Sequence, residues 1–457
     1  MDTAGIINER KIEEILTMGK QSSKRERLDV VEKARDGQGL SLGDAAMLLE
    51  IEGEEEMNLL FEAAKVIKEK IYGKRIVVFT PLYTSNECQN NCLYCGFRVA
   101  NKDLHRKTLC TSEIAQEAKT IENQGHKRIL LVCGEDKKKT TIHHITEALQ
   151  NIYQGTDIRR INVNAAPMSV EEFKKLKEVG IGTYQIFQET YHRETYKAMH
   201  PGGPKSNYDD RLHALGRAFE AGIDDFGIGV LFGLYDYRFD LLASLMHAEY
   251  MEENYSVGPH TISIPRLRPA MDSGLKETPY PITDEEFKKI VAVYRLTLPY
   301  TGIILSTRES AELRDKLLSL GVSQISTGSK TSPGGNGKAD HEAQQFETSD
   351  ERTLDEMLQV LCDQGHLPSF CTACYRKKRT GAAFMELARD EHIHEFCEQN
   401  AILTLKENLL DYASDETVKK GEALIKKALV EIRSPKIRSI TRERLSEIEN
   451  GKRDLYL

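Results

Sequence analysis

Long hydrophobic runs are missing from this sequence, and none approaches the about 18 residues that a membrane-crossing helix needs. Cysteine is scarce as well. Nine in 457 residues are too few for a disulfide scaffold, which a reducing compartment would not sustain in any case. Nor is there an excess of positive charge: 63 Lys and Arg face 71 Asp and Glu, for a formal net charge of −8. That balance argues against broad nucleic-acid binding and leaves the lysine run 137–139 as a solvated turn. The opening stretch, MDTAGIINERKIEEILTMG, carries acidic side chains early and no apolar core. Neither a secretory signal nor a transit peptide is expected there, and the chain reads as cytoplasmic, with neither membrane nor nucleic acid among its partners.

What is present is enough apolar residue, 40% of the chain, to build a full core, arranged in three zones. Residues 1–70 read as a helical extension, with apolar periodicity over 8–17, 28–34 and a long run over 42–67. Residues 71–335 alternate short β-branched or aromatic runs with amphipathic helices. The expected strands are 75–80, 128–133, 160–164, 183–187, 226–231, 261–264, 302–305 and 322–326. From the first start to the last their mean spacing is about 35 residues, about what a strand, a turn and a crossover helix require. Four of the intervening helices end in Gly125, Gly180, Gly222 and Gly321, where glycine supplies a left-handed cap. Eight such units predict a closed α/β fold, a (β/α)8 TIM-type barrel, because closure leaves no sheet edge to protect. An open doubly wound sheet is the alternative. Residues 336–457 read as a mostly helical elaboration, with helices near 351–363, 403–414 and 416–431 and a basic terminal helix and tail.

The cysteines fall in two tight groups. Directly after the first strand comes PLYTSNECQNNCLYCGF, with Cys88, Cys92 and Cys95 at three-then-two spacing. Three thiolates on one loop can hold three corners of an iron–sulfur cubane and leave one iron open, whereas zinc would want a fourth ligand at comparable spacing. A loop following a barrel strand lies at the C-terminal mouth, where active sites gather. Near the other end, FCTACYRKKRTG supplies Cys371 and Cys374, and after 22 intervening residues stands Cys397. A helix over about 382–390 would fill that gap and let the chain return. This second trio suits another cluster, or a Cys3His zinc site using His392 or His394. Cys110, Cys133 and Cys362 read as ordinary small side chains.

The first group resembles the signature of the radical S-adenosylmethionine (SAM) superfamily, in which an aromatic residue, here Tyr94, precedes the last cysteine. The resemblance implies a [4Fe–4S] cluster whose open iron chelates S-adenosylmethionine. It also implies a Gly–Glu element after the second strand, carried here by Gly134 and Glu135 in LLVCGED, with Cys133 in place of the family's first glycine. With the second trio, and with QIFQETYHRETYKAMHP, DFGIGVLFGLYDYRFD, GPHTISIPRLRPA and ILSTRE, the whole chain resembles the HydG family. These are tyrosine lyases of [FeFe]-hydrogenase active-site assembly.

That resemblance implies cleavage of the Cα–Cβ bond of L-tyrosine to p-cresol and dehydroglycine. Dehydroglycine then yields carbon monoxide and cyanide at an auxiliary [4Fe–4S] cluster on Cys371, Cys374 and Cys397. An additional iron there would be ligated by His260. It also implies other hydrogenase maturation proteins as partners, a ferredoxin or flavodoxin as electron donor, and an anaerobic organism. A tyrosine zwitterion needs a cation for its carboxylate, and Arg308, assisted by Ser306, follows the seventh strand at the mouth. Gln188, Glu189 and Tyr191 end the fourth strand toward the same mouth. Asn162 and Asn164 alternate within the third and face inward, whereas Arg159 and Arg160 begin it at the opposite end. The interior between the two clusters is expected to carry the fragment from one to the other. The rival readings are a thiazole-pathway tyrosine lyase that stops at dehydroglycine and a non-catalytic iron–sulfur scaffold.

Overall fold

The computed structural model describes residues 5–337, 343–377, 379–389 and 394–457, the side chains of residues 388, 394 and 395 aside. Eight parallel strands follow one another around a ring: β1 (Arg75–Ser85), β2 (Arg128–Cys133), β3 (Arg160–Asn164), β4 (Tyr184–Gln185), β5 (Phe226–Gly229), β6 (Thr261–Ser263), β7 (Gly302–Leu305) and β8 (Gln324–Ser326). The ladder from Thr80↔Ile129 to Ser85↔Cys133 joins β1 to β2 and closes the barrel. The (β/α)8 expectation holds, and the open sheet is excluded.

β1 runs five residues past its expected end, through a proline. Pro81 lies beyond Phe79, the last residue paired with β8, so its missing N–H leaves that ladder intact. Alternation along β1 then separates two environments. Ile76, Val78 and Leu82 join the apolar core between strands and helices, while Phe79, Pro81 and Tyr83 face the lumen.

A ninth strand, β9 (Leu367–Ser369), has no counterpart in the sequence reading. Three residues with a central proline carry no strand signal, yet they pair in parallel with Arg75–Val77 of β1.

Four helices precede the barrel: α1 (Glu9–Lys20), α2 (Lys24–Ala34), α3 (Leu42–Leu49) and α4 (Glu54–Tyr72). Asn8, Ser23 and Ser41 accept backbone N–H groups at the starts of the first three, as N-caps do. The apolar run over 42–67 is two helices rather than one, because Gly53, at φ 81°, turns the chain where α4 begins. α4 lies against the helix Asp284–Thr297 on the barrel's outside. Of the four expected glycine caps, Gly125, Gly180 and Gly222 take positive φ. Gly321 does not: its φ of 178° is extended backbone, and a Cβ there would press on Val291 Cγ1 at 3.1 Å and Arg295 Cβ at 3.2 Å.

The expected C-terminal helices are present as Leu354–Asp363, His394–Asp411, Asp415–Glu431 and Pro435–Glu449, and the last three enclose a second apolar core. Among the described residues no helix is long and apolar enough to cross a membrane.

One buried cation ties the lower rim together. The Arg295 guanidinium donates to the carbonyls of Gly321 (3.0 and 2.7 Å), Pro299 (2.7 Å) and Thr301 (3.0 Å), on the segments that feed β7 and β8. Burial lowers its pKa to about 10, still charged at neutral pH. Arg295→Met should strand three carbonyls and cost about 3 kcal/mol or more, seen as a lower urea midpoint. A midpoint unchanged from wild type would refute this role.

Candidate functional site

At the upper mouth the chain leaves β1 and is immediately anchored. Asn86 donates to the His105 carbonyl at 2.8 Å and accepts from the Lys107 amide at 2.6 Å. Arg106 donates to the carbonyls of Asn86 (2.7 Å) and Phe97 (2.8 Å). The loop amides of Gln89, Asn91, Leu93 and Gly96 find the carbonyls of Glu135, Gly202, Met199 and Gln345 at 2.8, 2.9, 3.0 and 2.9 Å. With the backbone satisfied from outside, the thiols of Cys88, Cys92 and Cys95 are left to line one cavity of about 200 Å³. Burial, reinforced by the neighbouring thiols, pushes Cys92 up to about 12 and Cys95 to about 11. Soft sulfur donors gathered in this way suit an iron–sulfur cluster.

β2 delivers Gly134 against this loop. A Cβ there would stand 2.3 Å from the Glu87 carbonyl oxygen and 3.3 Å from Cys88 Cβ, so no side chain fits. Glu135 accepts from Asn90 Nδ2 at 2.7 Å, and Asn90 Oδ1 accepts the Lys205 amide at 2.7 Å. The Lys205 ammonium in turn pairs with Glu189 at 2.6 Å. Tyr94 hydrogen-bonds His200 Nε2 through its hydroxyl at 2.7 Å, which fixes the ring beside the last cysteine.

Glu135, Asn164, Glu189, Ser306 and Arg308 all line the cavity with the three cysteines. Gln188 does not reach it. Strand alternation turns Gln185, Phe187 and Glu189 inward, and the Gln188 amide donates outward to the Tyr208 carbonyl at 3.4 Å. Tyr191 also turns away and bonds His247 Nδ1 at 2.9 Å. Sequence reasoning missed Lys205, Arg211, Gln345 and Phe346, which reach the cavity from helices and a late loop with no local signal.

Arg308 is the most telling side chain here. Its guanidinium lies 3.4 Å over the Phe346 ring centroid, with its pKa lowered by burial. It makes no ion pair among the described residues, whereas nearby Arg268 is paired with Glu309 at 2.8 Å. A half-buried cation held without a counter-ion suits an anionic ligand.

The second trio lies at the opposite end of the barrel. β9 pairs with the start of β1 and runs directly into Cys371, whose sulfur accepts the Ala373 amide at 3.4 Å. Helix Gly381–Arg389 spans the gap as expected, and Cys397 follows on the helix His394–Asp411. Cys374 and Cys397 share a thiol hydrogen bond that holds Cys397 below the usual thiol range and pushes Cys374 above it. His392 and the side chain of His394 lie outside the described residues. Among the described residues no three His, Cys, Asp or Glu side chains converge around a single metal ion.

Inward arginines at the strand starts surround this trio. Arg128 donates to the Cys371 carbonyl at 3.2 Å. Arg160 lies 4.0 Å over the ring centroid of Tyr375, the residue after Cys374. The Arg75 Nε is buried without a hydrogen bond, and the thiols of Cys397, Cys371 and Cys374 act on its charge. His260 stacks on Phe384 at 4.1 Å between ring centroids.

An eight-stranded parallel barrel with a three-cysteine loop at its upper mouth defines the radical SAM class, enzymes that bind an iron–sulfur cluster and S-adenosylmethionine. The radical SAM superfamily pattern matches residues 82–245 and the biotin and thiamin synthesis associated domain residues 263–367. The 2-iminoacetate synthase of Escherichia coli is 32% identical over 74% of this chain and 89% of its own. The crystal structure of a HydG, a maturase of the [FeFe]-hydrogenase, superposes with a TM-score of 0.96 at 50% identity, covering 99% of this chain and 100% of that one. The HydG of Carboxydothermus hydrogenoformans superposes at 0.85 with 44% identity, over 96% and 97%. The chain belongs to the HydG family.

The turn that presents Glu189 generates a pH prediction. Asp240 Oδ1 accepts from the Tyr191 amide at 2.7 Å and the Thr190 hydroxyl at 3.0 Å, and burial raises its pKa to about 7. An unfolded Asp binds its proton only below about pH 4. Between these values the folded state holds the extra proton, so this group adds stability at low pH and loses it as pH rises toward 7. Relative to Asp240→Asn, the wild type should gain on the order of 1 kcal/mol per unit of acidification from pH 7 toward 4. Parallel stability profiles for the two proteins would contradict this.

Proposed function

We propose that this chain is a radical SAM tyrosine lyase of [FeFe]-hydrogenase maturation. In this reading it cleaves the Cα–Cβ bond of L-tyrosine to p-cresol and dehydroglycine, and converts dehydroglycine to carbon monoxide and cyanide at a second centre. The observation that carries the reading is the pair of three-thiol groups at opposite ends of one barrel. The likeness to HydG over nearly the whole chain supports it.

Bound on Cys88, Cys92 and Cys95, a [4Fe–4S] cluster with S-adenosylmethionine supplies one-electron cleavage of the cofactor to a 5′-deoxyadenosyl radical. Glu135, held by Asn90, and the Glu189–Lys205 pair offer polar and charged groups to the amino-acid and ribose ends of that cofactor, with Asn164 alongside. Arg308 meets the tyrosine carboxylate, with the Ser306 hydroxyl beside it. This leaves the amine free to face the reacting side of the cavity. Gln345 and Phe346 cover the mouth and exclude water, which would hydrolyse an imine product.

The product is a two-carbon imino acid, and its route lies down the lumen past Gln185 and Thr261. Glycine at 227 makes room for both side chains there: a Cβ would stand 2.6 Å from Gln185 Cγ and 2.7 Å from Thr261 Oγ1. At the lower end, Cys371, Cys374 and Cys397 would hold an auxiliary [4Fe–4S] cluster, and His260 an additional iron. The chain is then divided as 1–70, a helical extension; 71–335, the barrel; and 336–457, the region bearing the second centre. Other hydrogenase maturation proteins and a small electron donor are its partners.

Cys397→Ser should leave p-cresol formation largely intact while abolishing carbon monoxide release in anaerobic assays with reductant, S-adenosylmethionine and tyrosine. Cys92→Ser should abolish both. Equal loss of both products in Cys397→Ser would defeat the division of labour. Unchanged carbon monoxide release in Cys397→Ser would remove Cys397 from the second centre, and p-cresol without carbon monoxide from the wild type would favour a lyase that stops at dehydroglycine. Arg308→Lys should reduce kcat/KM for tyrosine about 10–100-fold through loss of the planar two-point contact. An unchanged kcat/KM would remove Arg308 from the site.

A further inference from the structure

Adjacent carboxylates at the foot of β5 have divided tasks. Asp224 accepts from the Thr380 hydroxyl at 3.3 Å and so ties the barrel to the segment between Cys374 and the helix Gly381–Arg389. Asp225 points the other way, into the lumen floor. It is 3% exposed, and neither of its carboxylate oxygens has a hydrogen bond.

Among the described residues the side chain placed to serve it is His260. The register Gly227↔Thr261 sets the foot of β5 beside the foot of β6, and His260 Nδ1 stands 3.3 Å from Asp225 Oδ2. Nδ1 is itself buried without a hydrogen bond. Backbone and ring are both held: the Asp225 carbonyl accepts the Tyr184 amide at 3.0 Å, the His260 carbonyl accepts the Gly302 amide at 2.8 Å, and the imidazole lies against Phe384 with 23° between the rings. The far edge of the imidazole, carrying Nε2, makes no hydrogen bond among the described residues.

We propose that Asp225 is the positioning residue of His260. Its carboxylate accepts the Nδ1 proton, selects the tautomer with a bare Nε2, and turns that atom toward a metal ion beside the second cysteine trio. The chemistry is general. A ligating imidazole becomes a stronger donor and keeps its orientation when its other N–H is held by a carboxylate. A buried carboxylate with no other partner is too costly to be retained as a filler. The inference rests on His260 holding the additional iron and goes beyond it, since it assigns the group that aims the histidine.

The test uses full-length protein, reconstituted anaerobically with iron and sulfide, as wild type, Asp225→Ala, Asp225→Asn, Asp225→Glu and His260→Ala. The affinity for the additional iron is read by chelator competition, and its environment by electron paramagnetic resonance. Thermal melts verify the fold. Asp225→Ala should hold the additional iron about 10–100-fold less tightly and alter its resonance signal. Asp225→Asn, a neutral acceptor, should fall between, and Asp225→Glu should recover part of the affinity. If His260→Ala loses the iron while Asp225→Ala and Asp225→Asn bind it as wild type does, the positioning role is overturned. If His260→Ala keeps it, the underlying assignment of His260 fails instead. If Asp225→Ala melts with the unfolded fraction rising at assay temperature, Asp225→Asn decides between the outcomes.

Discussion

β1 lends one edge to two partners in succession, and both candidate centres depend on that division. Its lower residues, Arg75–Val77, pair with β9, while Thr80 to Ser85 pair with β2. Going upward, the strand empties into the loop of Cys88, Cys92 and Cys95. Alongside its foot, β9 runs into Cys371 and Cys374. A parallel strand can take a second neighbour on the same edge only if the first begins higher, and the offset start of β2 provides that step. The two thiol groups are thereby set at opposite ends of one lumen without a separate domain to carry either.

Backbone satisfaction is the price of uncommitted sulfur. A loop that presented three thiols inward while its own amides lacked partners would relax toward them. Here Asn86, Arg106 and the carbonyls of Gly202, Met199 and Gln345 take up the loop's polar groups, so the sulfurs are left for a ligand. The same logic governs the cations. Arg295 is a structural charge because every carbonyl around it is already turned inward. Arg308 is half-buried, stacked on Phe346 and without an ion pair among the described residues, so its charge is not used up by the fold. At the lower end Arg75 faces three thiols and makes no ion pair among the described residues, an arrangement that suits a centre carrying negative charge.

The fold was legible in the chain because its signals are local and repeated. Eight apolar runs alternating with amphipathic helices, with glycine at 125, 180 and 222 closing helices, leave few alternatives to a closed parallel barrel. Where local signals conflict, the reading slipped. Proline 81 disguised the upper half of β1, Pro368 hid β9 altogether, and Gly53 split what periodicity joined over 42–67. Gln188 and Tyr191 were misplaced for a related reason: β4 has only two paired residues, and in so short a strand the inward face is decided by its neighbours' register.

The chain by itself determined the two cysteine spacings, and hence two sulfur-rich centres, together with the barrel, because metal-ligand loops and strand–helix units are written in contiguous residues. Only the tertiary structure decided that β9 sets the second trio beside the foot of β1, that Lys205, Gln345 and Phe346 complete the upper cavity, and that Asp225 stands beside His260. Those meetings join residues far apart in the chain, 35 positions in the last case, and are fixed by sheet register, shared burial and unmet hydrogen-bond demand. None of these leaves a periodic trace in the amino-acid order.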